Sequence, residues 1–301
     1  MTVILCLLLT LTAVEDGNYS HDGPGEEMPP NPATAQYSVV ELDRWSIPAG
    51  SQALGLDYMD YWYTSHTVGY VSNSDDMIYW MNGTTGSLTG ISWEKDPNNP
   101  SAFGFARVLV PGGDDEIHVN DFTTIDLYYK AFNTYWDEYA SLTGIDGRGM
   151  AYHQSEDKML ELSTTQDPGN YSWAVAKYTP GSSSGFFYTI DCNIGSDWVA
   201  SGLALYSMFG GEMGMAVTMY QSSWIRFFEY PPTMPDMVYY GYCVLPYSAE
   251  MASSYGLAYA YDLDCFYHSW RDAASNHYIS RLEVSQVALD RSTWGAIKSS
   301  F

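Results

Sequence analysis

Short runs of β character punctuate this chain from residue 37 onward, and no long stretch keeps the 3.6-residue apolar period of an amphipathic helix. The runs come in sets, each opening on Gly, an apolar residue, then Ala or Asp. The openings are Gly55-Leu56-Asp57-Tyr58, Gly104-Phe105-Ala106-Arg107, Gly149-Met150-Ala151-Tyr152, Gly202-Leu203-Ala204-Leu205 and Gly256-Leu257-Ala258-Tyr259. Successive opening glycines lie 49, 45, 53 and 54 residues apart, close to the length of a four-stranded propeller blade. A turn rich in acids or glycine follows most openings, as at Ser155-Glu156-Asp157. Second runs then start at Gly69, Glu116, Met159, Met215 and Cys265, and third runs at Met77, Ile125, Trp173, Trp224 and Tyr278. Fourth runs are clearest at Phe186-Phe187-Tyr188-Thr189 and Val238-Tyr239-Tyr240-Gly241.

This pattern predicts an all-β fold: a five-bladed β-propeller of four-stranded antiparallel blades over residues 37–288. Innermost strands crowd a narrow channel, where Gly and Ala let backbones approach. Outer strands diverge, and large aromatic side chains fill the widening gap. The fifth set lacks a convincing fourth run after Val284, whereas Tyr37-Ser38-Val39-Val40-Glu41-Leu42 has the right character ahead of the first set. The N-terminal strand is therefore expected to complete blade five and close the ring, removing an exposed edge.

Outside the repeats, the apolar run up to Ala13 is too short to span a bilayer and reads as a secretory signal over 1–14, although no Lys or Arg precedes it. Residues 15–36 read as a flexible leader and 289–301 as a short tail holding at most one helical turn. The expected location is secreted or extracellular. Cys192, Cys243 and Cys265 have no Cys-x-x-Cys spacing, so either one bridge, Cys243 to Cys265, or buried free thiols is expected.

One set also matches a family. Tyr70-Val71-Ser72-Asn73, followed by Met77-Ile78-Tyr79-Trp80-Met81-Asn82 and Thr84-Thr85-Gly86-Ser87-Leu88, resembles the Tyr-Val-Thr-Asn (YVTN-like) type of β-propeller repeat found in bacterial surface and secreted proteins. The resemblance covers one blade well. It implies a fold and a compartment but no reaction.

Charge narrows the partners. The 301 residues hold 36 acidic side chains against 12 basic ones, a formal charge of -24, so phosphate is repelled and nucleic acid is not expected as a partner. No membrane span is expected either. An apolar content of 46% with 27 Tyr, 11 Phe and 10 Trp supplies ample surface to offset the entropy of ordering.

Candidate chemistry is expected where propeller loops converge, at the mouth formed by second-to-third turns and by segments entering first strands. That mapping singles out Asp75, Asp76, Arg271 and Asp272 from the former and Asp146, Arg148, Asp197 and Trp198 from the latter. Carboxylates beside aromatic rings suit a glycan, whose apolar faces stack while its hydroxyls donate. Asp and Gly also occupy tight turns for conformational reasons alone. Asp57 stands apart because the other four openings carry Ala at its position; a carboxylate there must be solvated, paired or bound to a cation, and Asp60 could share a Ca²⁺ with it. No zinc-type His spacing and no Gly-x-Ser-x-Gly elbow occurs, and no catalytic residue is assigned.

The expected function is a non-catalytic propeller that binds a glycan or an extracellular protein at a channel mouth, with no cofactor beyond the Ca²⁺ allowed above. A carbohydrate-active or lactonase-like enzyme using channel carboxylates is the alternative, and a surface assembly protein the second one.

Overall fold

A computed structural model of the chain describes residues 37–96, 102–110, 115–121, 123–130, 134–140, 147–167, 170–182, 184–190, 200–207, 213–230 and 239–286. The signal, leader and tail expected from the sequence, together with Cys192, lie outside them. Twenty strands form five four-stranded antiparallel sheets, each a blade. β1 (Tyr37–Ser46) precedes the first blade, which holds β2 (Leu56–Met59), β3 (Thr67–Ser72), β4 (Met77–Asn82) and β5 (Leu88–Glu94). Blade two holds β6 (Gly104–Val108), β7 (Glu116–Asn120), β8 (Thr124–Tyr129) and β9 (Thr134–Ala140). Blade three holds β10 (Gly147–His153), β11 (Lys158–Asp167), β12 (Asn170–Tyr178) and β13 (Gly185–Ile190). Blade four holds β14 (Ala200–Ser207), β15 (Met213–Met219), β16 (Trp224–Glu229) and β17 (Tyr239–Val244). β18 (Met251–Ala260), β19 (Cys265–Asp272) and β20 (His277–Gln286) complete the chain order.

Blade five has the order β18-β19-β20-β1, so its outermost strand comes from the start of the described chain. β1 pairs with β20 from Tyr37↔Gln286 to Ser46↔Tyr278. The ring closes as the missing fourth run predicted.

The five opening glycines meet at the centre. A Cβ on Gly55 would lie 2.6 Å from Phe103 O, one on Gly149 2.6 Å from Leu203 N, and one on Gly202 2.6 Å from Tyr255 O. Gly104 abuts the Arg148 carbonyl and Gly256 the Leu54 carbonyl, which closes the circuit. Each glycine thus presses on the innermost strand of the next blade, and the space they enclose has essentially no volume. Register shifts in β10, β14 and β18 bracket Gly149, Gly202 and Gly256, the local bend that brings those backbones inward.

Further out, an apolar cluster fills each interface between successive blades. Trp80, Trp93 and Tyr128 join blades one and two, while Tyr206, Phe227, Phe266 and Trp270 join four and five. Corresponding clusters lie at the other three interfaces. Cys243 and Cys265 are free and buried; burial pushes their thiols up to about 12 and about 11, leaving little thiolate at neutral pH.

Candidate functional site

Because the glycine circuit seals the axis, one mouth becomes a blind cup. Its volume is about 620 Å³, and it opens where innermost strands end and turn into second strands. The walls combine Tyr58, Tyr152, Tyr259 and Tyr261 with apolar residues including Met150, Leu203 and Leu257, while Asp57, Asp60, Asp262 and Arg107 supply charge. Ala151, Ala204 and Ala258, two residues beyond their glycines, line the cup, and their small side chains keep it wide.

Asp57 breaks that rule and makes a link between blades. Its Oδ2 accepts the peptide N–H of Arg107 in β6 at 2.7 Å, and its Oδ1 accepts the N–H of Tyr58 at 2.8 Å. The Arg107 guanidinium turns away to Asp115 at 2.5 Å and lies 4.9 Å from the Trp62 ring. Burial raises the Asp57 carboxyl from 3.8 to about 7, opposed by the two peptide N–H bonds and the Arg107 charge, which lower it. The folded chain therefore holds this proton more tightly than the unfolded one. Stability from that proton is complete below the unfolded value of 3.8 and is lost as pH rises to about 7. Urea unfolding of the protein and of Asp57→Ala should show wild type losing about 2 kcal/mol relative to the variant between pH 5 and 8, after allowance for the solvent screening of a half-buried group. A pH-independent difference would place the titration elsewhere.

Tyr261 is 54% exposed and sits edge-on to Tyr259 at 5.1 Å, whose hydroxyl donates to Asp264 at 2.5 Å. Tyr61, 78% exposed, follows Asp60 in the same set of turns, with a left-handed φ of 56°. Of the two, Tyr261 lines the cup and presents aromatic surface at this mouth.

The other residues selected from sequence sit elsewhere. Asp75 accepts from Ser51 at 2.6 Å, Ser72 at 2.5 Å and Tyr79 at 2.7 Å, all at the opposite end of blade one. Asp76 has a φ of 55° and pairs with Lys95 at 3.3 Å. Arg148 is buried with its guanidinium 4.9 Å from the Phe103 ring. Arg271 donates to Ser253 at 3.2 Å, and Asp272 accepts from Asn276 at 2.8 Å and Tyr278 at 3.1 Å. Asp146, Asp197 and Trp198 lie outside the described residues. Of the described candidates, Asp57 and the Asp60 weighed beside it line the cup.

No protein-family model matches the chain, and no curated protein matches it. Among solved structures, it is similar to a luciferin-regenerating enzyme at 10% identity and a TM-score of 0.49, over 80% of this chain and 95% of that one. It is similar to a nidogen/laminin complex at 11% identity and a TM-score of 0.48, over 79% and 86%. A third likeness is to the PQQ-bound aldose sugar dehydrogenase of Streptomyces coelicolor, at 12% identity and a TM-score of 0.46, over 84% and 99%. The propeller assignment rests on the strand order of the five sheets themselves.

The cup also gathers residues that no motif had linked. Asp60 at the end of β2, His66 just before β3 and Asp262 after β18 bring one donor atom each to within 4.8 Å of one another. The Tyr58 hydroxyl organises two of them, donating to Asp262 Oδ1 at 2.7 Å and lying 2.9 Å from His66 Nδ1. From sequence the acids after the openings read as turn formers, apart from Asp60, weighed as a Ca²⁺ ligand with Asp57. The missed signal was His66, a nitrogen donor in such a turn.

Among the described residues no helix is long and apolar enough to cross a membrane.

Proposed function

We propose that this protein is a secreted or cell-surface β-propeller that binds the end of a glycan in the cup, without catalysis. The carrying observation is the cup itself: a blind depression of about 620 Å³, walled by tyrosines and edged by carboxylates. That volume lies within the roughly 300–1,000 Å³ typical of small-ligand sites. Tyr261 offers a face for stacking on the apolar side of a sugar ring, and Asp60 and Asp262 offer acceptors for its hydroxyls. A deep cup favours a chain end over a protein partner, which needs a broad surface of roughly 800 Å². The resemblance of the stretch from Tyr70 to Leu88 to a YVTN-like repeat supports the same compartment.

Calorimetric titration against a panel of soluble oligosaccharides tests the reading. At least one should bind saturably, and Tyr261→Ala should weaken it about tenfold, the loss of one stacking contact of about 1.4 kcal/mol. A folded protein that binds no oligosaccharide of the panel, or one whose binding ignores Tyr261→Ala, overturns it. Turnover of a bound oligosaccharide would instead favour the carbohydrate-active alternative.

A further inference from the structure

We infer that Asp60, His66 and Asp262 hold a single divalent transition-metal ion at the edge of the cup, where blades one and five meet. The donor set converges already, with one ligand atom from each residue within 4.8 Å of the others. Three features go beyond mere proximity.

Asp60 Oδ1 is shielded from solvent and accepts no hydrogen bond among the described residues, so an acceptor oxygen is left unsatisfied in this cluster. Charge points the same way. Among the described residues no lysine or arginine pairs with Asp60 or Asp262; the basic side chain against Asp262 is His66, its Nδ1 3.1 Å from Asp262 Oδ2, and Arg107, the cup's own cation, is engaged by Asp115. Two carboxylates beside an imidazole form a donor set whose charge a divalent cation cancels. Finally, the group around the donors is arranged as ligands commonly are. The Tyr58 hydroxyl bonds Asp262 and His66, and the Tyr58 ring lies parallel to Tyr267 at 5.9 Å and 5° and stacks on the His66 ring at 6.5 Å.

Donor chemistry decides the ion. An imidazole with two carboxylates suits Zn²⁺ or Mn²⁺, whereas Ca²⁺ takes six or more oxygens. The partner suggested for Asp60 from sequence changes accordingly: Asp57 spends its oxygens on peptide N–H groups, and His66 and Asp262 converge on Asp60 instead. Three protein ligands leave coordination positions open. Asp60 and Asp262 both line the cup, so an open position there can take a hydroxyl or carboxylate oxygen of whatever enters. The ion's binding does not depend on the glycan reading, because it is measured with no glycan present.

The full chain, stripped with a chelator and titrated with Zn²⁺ by calorimetry, should bind one ion per chain. Asp60→Asn, His66→Gln and Asp262→Asn should each weaken that binding at least tenfold, while Glu283→Gln, on the exposed face of β20, leaves it unchanged. Equimolar Ca²⁺ should not compete. Circular dichroism establishes that each variant is folded, and anomalous scattering from Zn²⁺-soaked crystals places the ion independently of the variants. An anomalous peak between the three side chains supports the site. Absence of saturable binding, equal affinity in folded Asp60→Asn, or a peak elsewhere overturns it.

Discussion

A chain that begins at residue 47, and so lacks β1, is expected to lose cooperative unfolding or to melt about 10 °C or more below the full protein. β1 does more than complete a sheet. Tyr37, 5% exposed, packs 4.4 Å from Phe227 of blade four, while the Trp45 ring rests on the Gly86 turn of blade one and stacks on Tyr267 at 6.4 Å. Between them Arg44 lies 4.9 Å from the Trp270 ring and 5.4 Å from that of Tyr247, held by Glu41 at 2.8 Å and Glu250 at 2.6 Å. One strand therefore touches three blades. Its removal uncovers at least two large aromatic side chains and a full edge of β20, a cost on the order of 5 kcal/mol or more, comparable to the whole margin of a typical domain. At roughly 2–4 °C per kcal/mol for a domain somewhat smaller than this one, the melting shift follows. Scanning calorimetry checks it, and a synthetic peptide of residues 37–47 added in trans should restore part of the loss by strand addition. Arg44→Ala alone should cost only about 1–2 kcal/mol, since its ion pairs are partly solvent-exposed and its ring contacts are the better-shielded share. A truncated chain that melts with the full one would mean that β20 forms a sufficient edge by itself.

The sequence disclosed the ring because the same steric demand falls on every blade: a residue without a side chain at the tightest point, then a small one where the channel widens. That demand recurs five times and survives the loss of nearly all other similarity between blades. Closure was legible for a complementary reason, since the run after Val284 could not serve as a fourth strand while Tyr37 to Leu42 could. Asp57 also announced itself by breaking the pattern, although its partner, a peptide N–H on another blade, leaves no trace in side-chain identity. The open mouth was not legible. Repeat spacing locates positions along a blade but does not say which end is filled, and here Arg148 lies buried against Phe103 at the end opposite the cup. The Asp60–His66–Asp262 cluster was hidden by distance along the chain: Asp60 and Asp262 become neighbours only because blade five returns to blade one.

Placing one methyl group on the central circuit should be the most damaging small substitution in the protein. Gly202→Ala sets a Cβ 2.6 Å from both Tyr255 O and Thr218 Oγ1, and 2.7 Å from Leu257 N. Two of those three atoms are backbone of the next blade's innermost strand, which cannot rotate away as a side chain could. Relief requires blades four and five to separate, and a gap there propagates around a closed ring, because Gly256 presses in turn on Leu54 and Leu56 of blade one. Overpacking of a core typically costs about 1–3 kcal/mol, and a clash against backbone on several sides belongs at or above the upper end, about 3 kcal/mol. Gly50 and Gly181 make the control. Each has open space around it and a left-handed φ, +92° and +75°, so alanine there meets only conformational strain of about 1–2 kcal/mol. Gly202 carries no such φ, so its requirement is the close approach alone. Urea unfolding of the three alanine variants should rank Gly202→Ala well below the other two. An equal loss at all three sites would mean that the centre of the ring yields, and the glycines that mark each blade would then need another physical reason.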